Sequence, residues 1–240
     1  MSEIKIHIFH IGKVCVAPEL PFGGEHYSAL KASGVLDRQI RSLGSLPLYF
    51  TNQVVVESGA AIDEQLAARG VEPVDWDTVL LSHLDCDHAN GLKLVADAKK
   101  ILVLKDELRF AENGSPVNRI RYNADWWRST KMQTFDWNGL MGSAGRSYDV
   151  FGDGMLVMVN IPGHSKGLCA LRITGGGTGG CADGGYAKKS WEQMLLSGIA
   201  DDRAAQKKSL AWIRAQSRER NCVACIANHD FDVKPGAITL

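Results

Sequence analysis

The sequence predicts a mixed α/β domain built from two sheets with helices outside them. Three observations carry that expectation. Short apolar runs of strand length are followed by helical patterns, and this alternation occurs twice along the chain. Hydrophobic residues make up 45% and charged residues 22%, a balance that suits a packed globular protein and is too apolar for disorder. Finally, the 240 residues show no repeat of solenoid period and no convincing linker, so residues 1–240 are expected to form one domain.

Taken in order, Ile4, Ile6 and Ile8 alternate with Lys5 and His7, the pattern of a half-buried opening strand. Pro18 to Tyr27, with Pro21 and Gly23-Gly24, reads as a loop. Leu46 to Val56 suggests two short strands turning at Thr51-Asn52-Gln53, and Asp63 is a candidate cap for a helix through Arg69. Val79-Leu80-Leu81 suits a buried strand, Ala89 to Ala96 a helix, and Ile101 to Leu104 another buried strand. Residues 110–147 have no clear period and carry Tyr122, Trp126, Trp127, Phe135 and Trp137, so they read as an insertion of helices and loops. Strand character returns at Met155–Ile161 and Leu168–Ile173. Gly175 to Gly185 is glycine-rich, helices are expected at Lys188–Leu196 and Asp202–Arg218, and Cys222–Ala227 is a last buried strand.

The balance of 27 basic and 27 acidic residues gives no reason to invoke nucleic acid or an anionic membrane. No stretch approaches the roughly 18 apolar residues of a membrane helix. Met1 to Gly12 does not read as a signal peptide, and six cysteines do not make a disulfide framework. A cytoplasmic protein with reduced thiols is the expectation.

The segment that carries chemistry is His83-Leu84-Asp85-Cys86-Asp87-His88. Four potential ligands fall within six residues, directly after an apolar strand that would deliver them to a sheet edge. Imidazole and carboxylate at this density suit Zn, Fe or Mn. The same residues also admit a plainer account, an acidic loop in which Asp87 caps the following helix.

Ser82-His83-Leu84-Asp85-Cys86-Asp87-His88-Ala89 resembles the H-x-H-x-D-H signature of the metallo-β-lactamase superfamily, with one departure. Pro162-Gly163-His164-Ser165, Cys181-Ala182-Asp183 and Asn228-His229-Asp230 resemble its later elements, in the same order. Phe151-Gly152-Asp153-Gly154 and Asp183-Gly184-Gly185-Tyr186 are similar to segments of N-acyl homoserine lactonases and their relatives. The resemblance implies a four-layer αββα sandwich with two divalent metal ions at one edge, zinc first and iron or manganese also plausible. It implies that His83 and His164 hold one ion, that Asp87, His88 and His229 hold the other, and that Asp183 bridges them with a hydroxide. It also implies that Tyr186 faces the substrate carbonyl.

The departure is Asp85, which stands where the family has a histidine. If Asp85 is the remaining ligand, three aspartates and a hydroxide balance two divalent cations completely. Such a site polarises a carbonyl less than the usual pattern, and its harder ligand favours Fe or Mn. Glu57-Ser58-Gly59 stands where the superfamily has Asp-Thr-Gly, whose aspartate orients a metal-binding histidine.

The activity implied is hydrolysis of a lactone or related ester, with small-molecule substrates and a homodimer among the possible assemblies. A metal-held hydroxide would attack the carbonyl. Tyr186 would support the oxyanion as a neutral donor, and Asp87 would pass the proton to the leaving oxygen. The superfamily leaves open thioesterases and phosphodiesterases, and also diiron redox proteins that carry a carboxylate at the position of Asp85. Tyr186 is equally readable as a packed aromatic. The tryptophans near 126–137 are readable as a lid over an acyl chain or as packing. Cys222-x-x-Cys225 reads as part of a strand and His7, His10 and His26 as ordinary histidines. Gly175–Gly180 reads as a hairpin or edge turn, since it lacks a nucleotide-loop pattern.

Overall fold

The computed structural model describes residues 4–9, 12–15, 22, 54–58, 61–114, 121–175, 178–181 and 185–240. The expected loop at 18–27 lies outside these apart from Phe22, as do the first of the strands expected at 46–56, His10, His26 and Asp183.

Two sheets organise the chain. Strands β4 (Val79–Leu80), β5 (Ile101–Leu104) and β6 (Gln133–Phe135) pair in parallel. Strands β7 (Ser147–Asp149), β8 (Leu156–Asn160), β9 (Cys169–Thr174), β10 (Thr178–Cys181) and β11 (Cys222–Ile226) form a five-stranded sheet in the order β11-β10-β9-β8-β7. That sheet is antiparallel except for the β10–β11 pair. Two smaller antiparallel pairs join β1 (Lys5–Ile8) to β12 (Gly236–Thr239) and β2 (Gly12–Cys15) to β3 (Val54–Ser58).

The layering follows from period-two alternation along the buried strands. All four residues of β5 are buried, and they divide between two cores. Leu102 and Leu104 pack with Phe135, Met158 and Cys169 between the two sheets. Ile101 and Val103 face the other way, into a core with Leu81, Leu84, Ala89, Leu92, Val95, Ala111, Tyr122 and Trp127. The five-stranded sheet behaves likewise. Cys169 faces the inter-sheet core, while Leu168 and Ala170 pack with Trp191, Leu210 and Ile213. Helix α3 (Lys105–Asn113) contributes Ala111 to the first outer core, and α4 (Lys188–Glu192) and α5 (Arg203–Gln216) cover the second. The result is helices, sheet, sheet, helices: the αββα arrangement expected from the resemblance.

Local expectations hold with adjustments. Asp202 caps α5, its carboxylate accepting from the Ala205 amide at 2.9 Å. Asp63 does not cap α1 (Ile62–Ala67). The cap is Ala61, whose amide donates to the Glu64 carboxylate, and Asp63 lies in the first turn. The helix expected at 89–96 is broken at Asn90-Gly91 into α2 (Cys86–Ala89) and a 3₁₀ turn at Leu92–Val95. Residues 110–147 are not simply helices and loops. They supply β6, and Trp127 and Phe135 sit 3% and 5% exposed in two different cores. Trp126 and Trp137 pack against those same cores, so these aromatics serve packing. In the glycine-rich stretch, Gly179-Gly180 belong to β10, which pairs antiparallel with β9 with Thr178 opposite Thr174. Among the described residues no helix is long and apolar enough to cross a membrane.

Candidate metal centre

Three loops leave the ends of β4, β8 and β11 and meet at one edge of the layers. The first follows β4. The Leu81 amide still pairs with the Leu102 carbonyl at 2.9 Å, and the Ser82 carbonyl accepts from the Cys169 amide at 3.0 Å. The loop is thereby held to both sheets before it presents His83, Asp85, Asp87 and His88. The second follows β8 through Pro162-Gly163-His164. Gly163 has φ +145°, and a Cβ there would lie 2.4 Å from the Gln206 Cα, so no other residue fits. Its carbonyl accepts from the Asp201 and Asp202 amides, which fixes the loop to the start of α5. The third follows β11 and carries His229. Its neighbour Asp230 accepts from the Lys188 amide at 2.7 Å, tying this loop to α4, directly after Tyr186.

Glu107 on α3 joins the first two loops from behind. It is fully buried and accepts from the Leu84 amide (3.1 Å), the Ser165 hydroxyl (3.0 Å) and the Gly167 amide (3.0 Å). Gly167 is required for this approach, since a Cβ there would meet the Glu107 Cβ at 2.6 Å. Burial pushes the Glu107 carboxyl up from its ordinary value, and the three donors and Arg121 pull it back only in part.

The ligand-type residues gather into two groups of three, in each of which the candidate ligand atoms lie within 4.8 Å of one another. The inner group is His83, Asp85 and His164, all buried; the outer group is Asp87, His88 and His229, all partly open to solvent. The His83 and His88 rings join the groups, with centroids 4.2 Å apart. Tyr186 spans both, edge-on to His164 at 5.8 Å and stacked on His229 at 5.1 Å. Asp183 lies outside the described residues, and so does the side chain of Glu57. Cys222 and Cys225 lie in β11 without a disulfide and belong to neither group.

The donor chemistry of the outer group fits a divalent cation. Asp87 Oδ2 lies 3.3 Å from His229 Nε2 and 3.8 Å from His88 Nε2. A carboxylate and two imidazoles converging this closely are suited to sharing a positive charge. Partial burial opposes ionisation of Asp87, but His88 and His229 outweigh it and hold the carboxyl at about 2, so it is anionic at neutral pH.

In the inner group Asp85 lies with His83 and His164, and it also meets a cation of the chain itself. Asp85 is 1% exposed, and its Oδ2 accepts from Arg121 Nε at 2.9 Å and from Nη2 at 2.5 Å. Burial works against its ionisation, and Arg121 and His164 overcome this and hold the carboxyl well below the usual range. Arg121 Nη2 also lies 3.1 Å from His164 Nε2. His164 Nδ1 is 3.0 Å from the Ile199 carbonyl, which can only accept, so Nδ1 carries a hydrogen, and Nε2 lies 3.1 Å from both Arg121 Nη2 and Asp85 Oδ2. His83 Nδ1 is 3.1 Å from the Ser82 hydroxyl.

Arg121 and Glu107 are the partners of the candidate site that sequence reading misses. A signal for the first existed in Asp85 itself, because a carboxylate replacing a buried imidazole calls for a countercharge.

This fold, with ligand-bearing loops at its strand ends, defines a protein of the metallo-β-lactamase fold. Residues 51–131 match the family model described as the metallo-beta-lactamase superfamily. The chain is also similar to N-acyl homoserine lactonases. It is 26% identical over 188 residues to the N-acyl homoserine lactonase AttM of Rhizobium radiobacter, an alignment covering 74% of this chain and 67% of AttM. It is also 26% identical over 181 residues to AttM of Azorhizobium caulinodans, covering 71% and 64%. Among solved structures, an N-acyl homoserine lactone hydrolase with N-hexanoyl-L-homoserine at its catalytic metal centre superposes with TM-score 0.67 at 17% identity, over 96% of this chain and 93% of that one. The dizinc quorum-quenching lactonase AidC superposes with TM-score 0.58 at 14% identity, over 99% and 90%.

Proposed function

We propose that this chain is a metal-dependent hydrolase that opens a lactone ring of the N-acyl homoserine lactone type or cleaves a related ester. The observation that carries the reading is the pair of three-ligand groups at one sheet edge with Tyr186 lying against both. The similarity to AttM supports the substrate class.

In this reading His83, Asp85 and His164 would hold one ion and Asp87, His88 and His229 the other, with Asp183 a further ligand as the resemblance implies. Two divalent ions, zinc first, supply Lewis acidity and lower the pKa of water to near neutrality. The chain's own residues do the rest. The Ile199 carbonyl, 3.0 Å from His164 Nδ1, orients the ring so that Nε2 points into the inner group. Tyr186 is fixed by ring contacts with His164 and His229, and its hydroxyl donates to the carbonyl oxygen as charge develops there. Asp87, anionic at neutral pH, takes up a proton only transiently and passes it to the leaving oxygen. In a lactone that oxygen stays on the product, a hydroxy acid.

The case for iron redox chemistry rested on a carboxylate ligand at Asp85, and the charge of that carboxylate is matched by Arg121.

The test is acid release from a panel of N-acyl homoserine lactones and simple esters by the zinc-reconstituted protein, followed by pH indicator. Metal-dependent turnover that falls at least about 100-fold in Asp87→Ala is expected, because even outer-shell losses cost 10–100-fold at metal sites. Undiminished turnover in that variant, or none on the whole panel, would overturn the reading.

A further inference from the structure

Arg121 has no part in the activity proposed above, yet its guanidinium stands inside the inner ligand group. It is 4% exposed and reaches Asp85 Oδ2 with Nε and Nη2, His164 Nε2 with Nη2, and Asp201 Oδ1 with Nη1 at 3.7 Å. Two of the three atoms that would bind the inner metal are thus engaged by an internal cation. In the outer group, Asp87 faces His88 and His229.

We infer that Arg121 is the resident cation of the inner group and makes the two metal sites unequal: the outer site fills first, and the inner one fills only when the guanidinium leaves His164. This inference rests on reading the two groups as metal sites.

Three features of the chain support it. First, the Asp85–Arg121 pair is neutral as a unit, so the inner group offers an incoming cation no net negative charge. Second, His164 Nε2 lies 3.1 Å from both Arg121 Nη2 and Asp85 Oδ2, and it cannot keep those contacts and bind a metal as well. Third, a divalent ion placed beside a buried guanidinium meets like charge where screening is weak. Asp201 supplies the place to which the guanidinium can withdraw. It already lies 3.7 Å from Nη1, and its amide is anchored on the Gly163 carbonyl beside His164. The side chain can therefore shift its hydrogen bonds from Asp85 to Asp201 without leaving the protein interior.

The experiment uses the full chain stripped of metal and titrated with Zn²⁺ by calorimetry against a competing chelator, with Co²⁺ absorption as a second readout. The wild type is expected to bind in two steps separated by about 100-fold or more in affinity, as displacement of an ordered buried cation entails. Arg121→Gln should tighten the weaker step by at least about tenfold, while Arg121→Lys, which keeps the charge, should leave the two steps well apart. Should Arg121→Gln fail to fold, the Arg121 Nε–H resonance in the ¹⁵N-arginine-labelled wild type gives the same answer. It should stay fixed through the first equivalent and move during the second. Two steps of equal affinity in the wild type, a weaker step unmoved in folded Arg121→Gln, or an Arg121 signal that moves with the first equivalent would each overturn the inference. Absence of any tight step would overturn the metal-site reading itself, a distinct outcome.

Discussion

The inner and outer ligand groups have the same composition, two histidines and one aspartate, and sit in opposite surroundings. Asp85 and His164 have side chains 1% and 4% exposed, and Asp87 and His229 have side chains 36% and 28% exposed. In the closed pocket an uncompensated carboxylate is too costly, and the fold brings Arg121 to it from 36 residues away. In the open pocket the carboxylate keeps its charge next to His88 and His229. Identical donor types therefore have different chemical capacity, and burial decides which group is already matched from within.

That contrast can be broken most forcefully at the inner group. Arg121→Met in the stripped protein leaves Asp85 buried and unmatched, and is expected to cost about 3–5 kcal/mol of unfolding free energy. Urea unfolding measures it, and zinc should restore part of the loss in the variant by taking the guanidinium's place. A loss below about 1 kcal/mol would mean that the pair is not what stabilises this pocket.

Next is the scaffold behind both groups. Glu107→Ala removes three hydrogen bonds to a buried carboxylate and strands their donors on the Leu84 and Ser165 loops, at a cost of about 3 kcal/mol. A change confined to metal affinity, with stability intact, would show that Glu107 only orients the loops.

The pH dependence distinguishes the groups further. The Asp85 carboxyl is held below its ordinary value in the fold, so its contribution is complete above about pH 4 and is lost as pH falls through the lower folded value. In stripped protein the destabilisation caused by Asp85→Asn should accordingly be full at pH 6 and shrink steadily below about pH 4. A penalty that is constant down to pH 2 would mean that packing, not charge, sustains it.

The smallest effect is expected at Tyr186, which touches both groups through its ring. Tyr186→Phe keeps those ring contacts and removes one donor, so kcat on a lactone should fall about tenfold with metal stoichiometry unchanged. Loss of a metal in that variant would assign Tyr186 to the site's architecture instead of to the substrate.

How much of this was legible in the sequence depended on separation along the chain. His83, Asp85, Asp87 and His88 announce themselves because one strand end presents all four within a few residues. The layers were legible for a similar reason: β5, β8 and β9 are apolar runs, and period two tells each residue which face it occupies. Strand β6 was not, because three residues of Gln133-Thr134-Phe135 hold too little pattern, and only pairing with β5 makes them a strand. The break of the helix at Asn90-Gly91 and the capping of α1 by Ala61 were likewise settled by neighbours.

By itself the sequence determined the αββα layering, the order of the ligand-bearing loops and the presence of an unusual aspartate among them, because each is written in local periodicity or in a short motif. Only the tertiary structure decided what that aspartate does. Arg121 and Glu107 lie in segments with no motif of their own, and they reach the site because folding places one beside Asp85 and the other behind two loops whose residues Leu84 and Ser165 are 81 positions apart in the chain. The physical reason is the desolvation of charge. A buried carboxylate must find a partner, and which partner it finds is a property of three-dimensional proximity, which no local pattern in the chain encodes.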